Sequence, residues 1–205
     1  RKNFFTMTKA QARETLGIAP DDFVVFTFGG SLGSKKINEI ATELLQLFNG
    51  HQGTRLIMGT GRWYYQEIMD MLAQRNIHPG SNIAVRDYID NMDLCLMACD
   101  VVISRAGALS VAETTVCGKA AILIPAPNVT ANHQYYNAKS VADRGGAFLI
   151  EEKDLDIRQV VEDVLKLMND RQLLNAMSQA SRACAPVRAL DIICGKITED
   201  YMALV

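Results

Sequence analysis

A doubly wound, Rossmann-like α/β fold with a parallel six-stranded sheet and a helical C-terminal tail is predicted by three features of the sequence. Short runs rich in Val, Ile and Phe recur six times between residues 23 and 150. Each run except the last is followed, before the next, by a segment with apolar residues at helical spacing. Two of the strand-to-helix junctions carry glycine turns, Gly29-Gly30-Ser31-Leu32-Gly33-Ser34 and Ser104-Arg105-Ala106-Gly107. Repeated strand–helix units build a parallel sheet with helices on both faces. Such sheets bind ligands outside the carboxyl ends of their strands.

The elements follow in order. Residues 8–16 read as a short helix capped by Thr6 or Thr8. The β-branched and aromatic run FVVFTF, residues 23–28, reads as a buried strand. Residues 35–48 place Ile37, Ile40, Ala41, Leu44, Leu45 and Phe48 on one helical face. Strand 55–58 and helix 63–74 come next, then strand 82–85 and helix 92–98. Strand 101–104, a helix over about 109–117, strand 120–124, helix 133–144 and strand 147–150 complete the alternation. From residue 154 onward the pattern is helical only, broken near Asp170 and at Pro186. The core spans about residues 20–150 and the tail about 154–205, packed on the sheet or on a partner. No internal repeat, low-complexity stretch or linker interrupts it.

Composition narrows the function classes. About half of the 205 residues are apolar, enough for a sizeable core. A net charge of −2 and the lack of any Lys/Arg run argue against nucleic acid as a partner. No run of about 18 apolar residues is present, so no spanning helix or direct membrane insertion is expected. The five cysteines are scattered and odd in number, which fits free thiols in a reducing compartment. Cys95 and Cys99 are four apart and read as core packing or, on a shared helix face, as a metal or disulfide pair. The sequence opens at Arg1 without a Met and is expected to be a piece of a longer protein.

Four clusters can carry chemistry. The glycine turn at 29–34 brings backbone close to a ligand and opens a helix whose free amides and dipole favour an anion; it also reads as a tight, Ser-capped turn. It has neither the Walker spacing nor a full G-x-G-x-x-G, which argues against a dinucleotide. In the second turn, amides around Ala108 to Ser110 can hold a diphosphate, and Glu113 can accept hydrogen bonds from ribose hydroxyls or simply favour the helix start. Asn132 can cap the helix that His133 and Gln134 open, and Gln134 both donates to and accepts from sugar hydroxyls; a plain surface helix start is the competing reading. In Asp87-Tyr88-Ile89-Asp90, Ile89 can line a base pocket, while Asp87 and Asp90 read as solvated carboxylates or a metal pair. Arg62-Trp63-Tyr64-Tyr65 holds the only Trp and reads as a contact surface or a packed helix start.

The runs GGSLGS…N, DYIDNM, SRAGALSVAE, GKAAILIPAP and HQYYNA, in this order and at these intervals, resemble the C-terminal, donor-binding half of the MurG family. These are GT-B N-acetylglucosaminyltransferases that make lipid II for peptidoglycan. The resemblance covers essentially the whole chain and implies binding of UDP-N-acetylglucosamine as substrate, with no metal and no other cofactor. It implies that Gly30 and Ser31 contact the diphosphate region and that Ile89 binds uracil through its backbone. Ala108, Leu109 and Ser110 supply amides to the phosphates, Glu113 holds the ribose, and Gln134, helped by His133, contacts the sugar. Arg1 matches a family arginine that reaches the nucleotide. The catalytic residues and the lipid I site belong to an N-terminal acceptor domain that this sequence lacks. The family works in the cytoplasm, on the cytoplasmic face of the bacterial plasma membrane.

The family usually has Gln at the position of Leu32, where it helps hold the donor; Leu cannot hydrogen-bond, which leaves donor affinity and sugar discrimination open. In the family the last helix crosses to the other half. That implies partial exposure here of Ile192, Ile193, Ile197, Tyr201 and Met202. Two other readings stand beside this one: the donor half of a different lipid glycosyltransferase, and a non-catalytic UDP-sugar-binding subunit of a split transferase.

Overall fold

The computed structural model describes residues 3–187 and 189–202. Its strands are β1 (Phe23–Phe28), β2 (Thr54–Gly59), β3 (Ile83–Arg86), β4 (Val101–Ser104), β5 (Ala120–Leu123) and β6 (Ala147–Leu149). The helices are α1 (Asn3–Thr6), α2 (Lys9–Thr15), α3 (Lys35–Phe48), α4 (Tyr65–Gln74), α5 (Met92–Ala98), α6 (Ala108–Val116), α7 (His133–Ala142), α8 (Ile157–Asn169), α9 (Arg171–Ala183) and α10 (Ala189–Met202). Thr8, not Thr6, caps α2: its hydroxyl accepts from the Gln11 amide, and the Gln11 side chain accepts from the Thr8 amide. The four-residue helix α1 is too short for its periodicity to register in the sequence.

All strand pairs are parallel, in the order β3-β2-β1-β4-β5-β6. The sheet therefore has its topological switch point between β1 and β4, where the connections leave in opposite directions and a crevice opens. Side chains alternate between two cores. Val24, Phe26 and Phe28 face the layer that includes Cys95, Leu96 and Val141. Val25, Leu56 and Ile103 face α3 and α8 through Ile40, Leu44 and Val164. Because both faces are covered, the strands read as nearly continuous apolar runs.

The tail divides in two. Val160, Val164 and Leu167 of α8 and Met177 of α9 are buried in the second core, so both helices belong to the domain. Helix α10 is exposed at every residue whose side chain is described, including Ile193, Ile197 and Tyr201. The side chains of Ile192 and Met202 lie outside the described residues, as does Arg1. Among the described residues no helix is long and apolar enough to cross a membrane.

Opposite the carboxyl ends, buried polar groups tie the strand starts together. The Arg13 guanidinium donates to the Ala98 carbonyl (3.0 Å) and pairs with Asp100 (2.8 Å). Asp100 also accepts from the Val24 amide (2.8 Å), which links α2 to β1 and the α5–β4 turn. The Lys119 ammonium donates to the Met97 and Cys99 carbonyls at 2.8 and 2.9 Å, at the end of α5 where a cation suits the helix dipole. Its burial lowers its pKa. Burial pushes the thiols the other way, to about 11 at Cys95 and Cys117 and about 12 at Cys99. All five cysteines are free, so Cys95 and Cys99 pack in the core and form no disulfide.

Candidate functional site

The first wall of the crevice is the turn after β1, and its glycines do different jobs. A Cβ on Gly29 would stand 2.4 Å from the Ser34 amide, and one on Gly33 (φ +90°) 2.1 Å from the Thr60 carbonyl. Gly61 (φ +80°) has the reciprocal constraint, 2.2 Å from Gly33. Gly29 lets its own turn close on Ser34, and Gly33 and Gly61 let the β1–α3 and β2–α4 loops touch backbone to backbone. Asn38, buried on α3, clasps the contact by donating to the Thr60 carbonyl at 3.0 Å. Gly30 differs: at φ +92° a Cβ would meet nothing, because the position opens into the crevice. Ser34 caps α3 through the Ile37 amide (3.5 Å), so the Ser-cap reading of the turn holds alongside the open face at Gly30.

Opposite it, β4 ends at Ser104 and the chain turns at Gly107 into α6. Gly107 has no side chain to cap the helix, so the first-turn amides of Ala108, Leu109 and Ser110 keep their donors and the positive end of the dipole. The third wall comes from the β3–α5 loop. Asp87, Tyr88 and Ile89 line the crevice, with Met92 beyond them. The Ile89 side chain is itself core, 7% exposed, packed where a Cβ on Gly59 would stand 2.9 Å from it. What Ile89 offers a ligand is therefore its backbone and the apolar surface beneath it.

The resulting cleft has a mixed lining. Phe28, Ile89 and Met92 give it apolar surface, and Gly30, Ser31 and Ser110 bring backbone and hydroxyl groups to it. Glu113 lines it too, one turn beyond Ser110 on α6. A second hollow continues from Gly30 and Ser110 past Arg105 and Lys36 to Gln134 and Ala126. Lys36 pairs with Glu39 at 2.8 Å, and that hydrogen bond raises its pKa. Arg105 donates to the Ile124 and Pro125 carbonyls (3.2 and 3.0 Å) and pairs with Glu152, which fixes the loop after β5.

The structure thus brings Gly30, Ser31, Ile89, Leu109, Ser110, Glu113 and Gln134 to one continuous crevice, with Ala108 at the start of the same helix. Three expectations change. The Gln134 carbonyl accepts from the Ala126 amide at 3.0 Å, so toward the crevice this side chain is chiefly a donor. His133 is exposed, lines neither hollow, and gives its Nδ1–H to the Thr130 carbonyl (2.9 Å), bracing the 3-10 turn before α7. Asn132 does not cap α7 with its side chain; it stands at φ 52°, in the left-handed conformation that redirects the chain into the helix. Of the two loop carboxylates Asp87 lines the crevice and Asp90 does not, and Asp87 accepts from the Tyr88 amide at 2.8 Å. Leu32 is exposed on the glycine turn and lines neither hollow.

The cleft also takes in Gly59, Gly61, Tyr88 and Met92, to which the sequence assigns no binding role. Gly59 and Gly61 flank the end of β2, which pairs with β1; the strand order is the signal that places them.

Comparison with known proteins adds an independent line. Residues 24–191 match the glycosyltransferase family 28 C-terminal domain. Over 196 residues the chain is 39% identical to the UDP-N-acetylglucosamine–N-acetylmuramyl-(pentapeptide) pyrophosphoryl-undecaprenol N-acetylglucosamine transferase of Desulforudis audaxviator, covering 94% of this chain and 52% of that one. The enzyme of the same name from Clostridioides difficile is 37% identical over 201 residues, 98% of this chain and 48% of its own. The crystal structure of Acinetobacter baumannii MurG superposes with a TM-score of 0.69 at 27% identity, over 89% of this chain and 50% of that one. The chain spans about half the length of these relatives.

Proposed function

The chain belongs to the glycosyltransferase family 28 C-terminal domain family, and from that premise we propose that it is the UDP-N-acetylglucosamine-binding half of an inverting transferase that glycosylates lipid I to give lipid II. One observation carries the reading. The switch-point cleft gathers in one hollow the apolar surface of Phe28, Ile89 and Met92, the Glu113 carboxylate, and the turns at Gly30, Ser31 and Ser110. Those groups meet the needs of a uridine diphosphate: a base, a ribose and a diphosphate.

In this reading uracil sits at the Ile89 backbone and Glu113 accepts from the ribose hydroxyls. The first-turn amides of Ala108, Leu109 and Ser110, with Gly30 and Ser31, hold the diphosphate. Their dipoles stabilise the charge that gathers on departing UDP, without a metal ion. Gln134 donates to the sugar hydroxyls across the second hollow. The base that activates the acceptor hydroxyl and the site for the undecaprenyl-linked acceptor lie on the other half of the enzyme. The work is done on the cytoplasmic face of the bacterial plasma membrane. These 205 residues alone bind donor and turn nothing over.

Calorimetric titration with UDP-N-acetylglucosamine, UDP-glucose and UDP tests this. Binding should prefer the N-acetylglucosamine donor. Glu113→Ala should weaken it by about 10- to 100-fold, as loss of charge-assisted hydrogen bonds does. Equal binding by the Glu113→Ala protein would refute the ribose assignment, and a preference for UDP-glucose would point to a different lipid glycosyltransferase.

A further inference from the structure

The donor reading does not use the Arg62-Trp63-Tyr64-Tyr65 run, yet Arg62 contacts a residue that lines the cleft. Arg62 is exposed, and its guanidinium lies over the Tyr88 ring, 4.9 Å from the centroid. Tyr88 lines the cleft next to Ile89 and is 40% exposed. The two residues come from platforms of unequal firmness. Arg62 follows Gly61, whose backbone is pressed against Gly33. The preceding Thr60 is fully buried, with its amide donating to the Arg86 carbonyl at 2.9 Å and its carbonyl taking the Asn38 amide. Tyr88 sits on the exposed loop that begins directly after β3 ends at Arg86.

Resting on the donor reading, we infer that Arg62 is a positioning residue: by a cation–π contact it holds the Tyr88 ring in place as the outer wall of the base-binding end of the cleft. An exposed aromatic ring that must be immobilised by a ligand charges that ordering against affinity. A guanidinium already stacked on it removes part of the cost before the ligand arrives. The arrangement acts through the ring and not through charge on the ligand. The donor reading puts the phosphates at Gly30, Ser31 and Ser110, whereas the Arg62 guanidinium lies on the ring of Tyr88, the neighbour of Ile89.

The test is titration of the chain with uridine, UMP and UDP, using Arg62→Ala and Arg62→Lys in wild-type, Tyr88→Phe and Tyr88→Leu backgrounds. Arg62→Ala should weaken all three ligands by the same factor, about two- to fivefold for an exposed cation–π contact. Arg62→Lys should recover part of the loss. The effect should persist with Tyr88→Phe and vanish with Tyr88→Leu, while the melting temperature stays that of the parent. A loss that grows with phosphate number, or that survives Tyr88→Leu, would overturn the inference, because Arg62 would then act on the ligand directly. Unchanged binding by Arg62→Ala in a protein that binds uridine nucleotides would sink this inference alone. Failure of the wild-type chain to bind any of the three would remove the donor reading and this inference with it.

Discussion

Replacing Gly30 and Gly33 separately by Ala separates the turn's structural role from its binding role. Both have strongly positive φ, +92° and +90°, so each substitution carries a similar backbone cost, about 1–3 kcal/mol. They differ in space. At Gly30 the methyl meets no atom within 4 Å. At Gly33 it would stand 2.1 Å from the Thr60 carbonyl and 2.9 Å from the Tyr64 ring. The carbonyl does not yield freely, because Asn38 holds it at 3.0 Å. Overpacking adds about 1–3 kcal/mol, and a broken buried hydrogen bond about another 1 kcal/mol or more. Gly33→Ala should therefore be less stable than Gly30→Ala by roughly 2–4 kcal/mol, or about 4–16 °C in melting temperature for a domain of this size. Calorimetric melting of the two variants beside wild type measures the gap. Gly30→Ala should keep most of its stability and lose nucleotide affinity, since its methyl enters the cleft. Equal melting temperatures for the two variants would refute the loop-contact argument.

Other predictions follow from the buried polar groups and thiols. Asp100→Ala leaves the Arg13 guanidinium buried beside an empty position and should cost about 3–5 kcal/mol, read by urea denaturation; a loss below about 1 kcal/mol would mean that the pair is not a structural tie. Thiol labelling of the folded chain should modify exposed Cys194 first and spare Cys95, Cys99 and Cys117 until denaturant is added. Those three thiols, raised from 9.0 to about 11, 12 and 11, favour the neutral form in the fold. Their contribution is fully present below pH 9 and is lost as pH rises through the folded values. Lys119 opposes this, because its lowered pKa makes its contribution grow as pH climbs toward 10.5. Because the two effects oppose, the comparison is with Cys99→Ala, which removes a contribution that falls with pH: between pH 9 and 11 its melting temperature should fall less than that of wild type. Parallel profiles for the two proteins would count against burial as the cause.

Much of the fold was legible because periodicity reports burial. The strand at residues 23–28 and the helix at 35–48 are apolar on the faces that meet the two cores, and their boundaries agree with the structure. Boundaries slipped where local contacts decide them. The helix expected from residue 63 starts at Tyr65, because the chain first turns at Gly61. Helix α6 starts at Ala108, one residue earlier than expected, because Gly107 already provides its turn.

The candidate site divides in the same way. Glycine turns and the residues opening α7 stand out in one dimension because each sits at a strand-to-helix junction, with Glu113 one turn beyond such a junction, and parallel topology sends every such junction to one edge of the sheet. The sequence by itself therefore determined the alternation, the edge and the residue types gathered there. Only the tertiary structure decided which junctions are neighbours and which side chains remain available. The order β3-β2-β1-β4 sets Tyr88 and Gly61 beside Gly30, and Gln134 binds its carbonyl to Ala126. His133 turns to Thr130, away from the cleft. Strand order and hydrogen-bond choice depend on contacts between residues far apart in the chain, which no local pattern records.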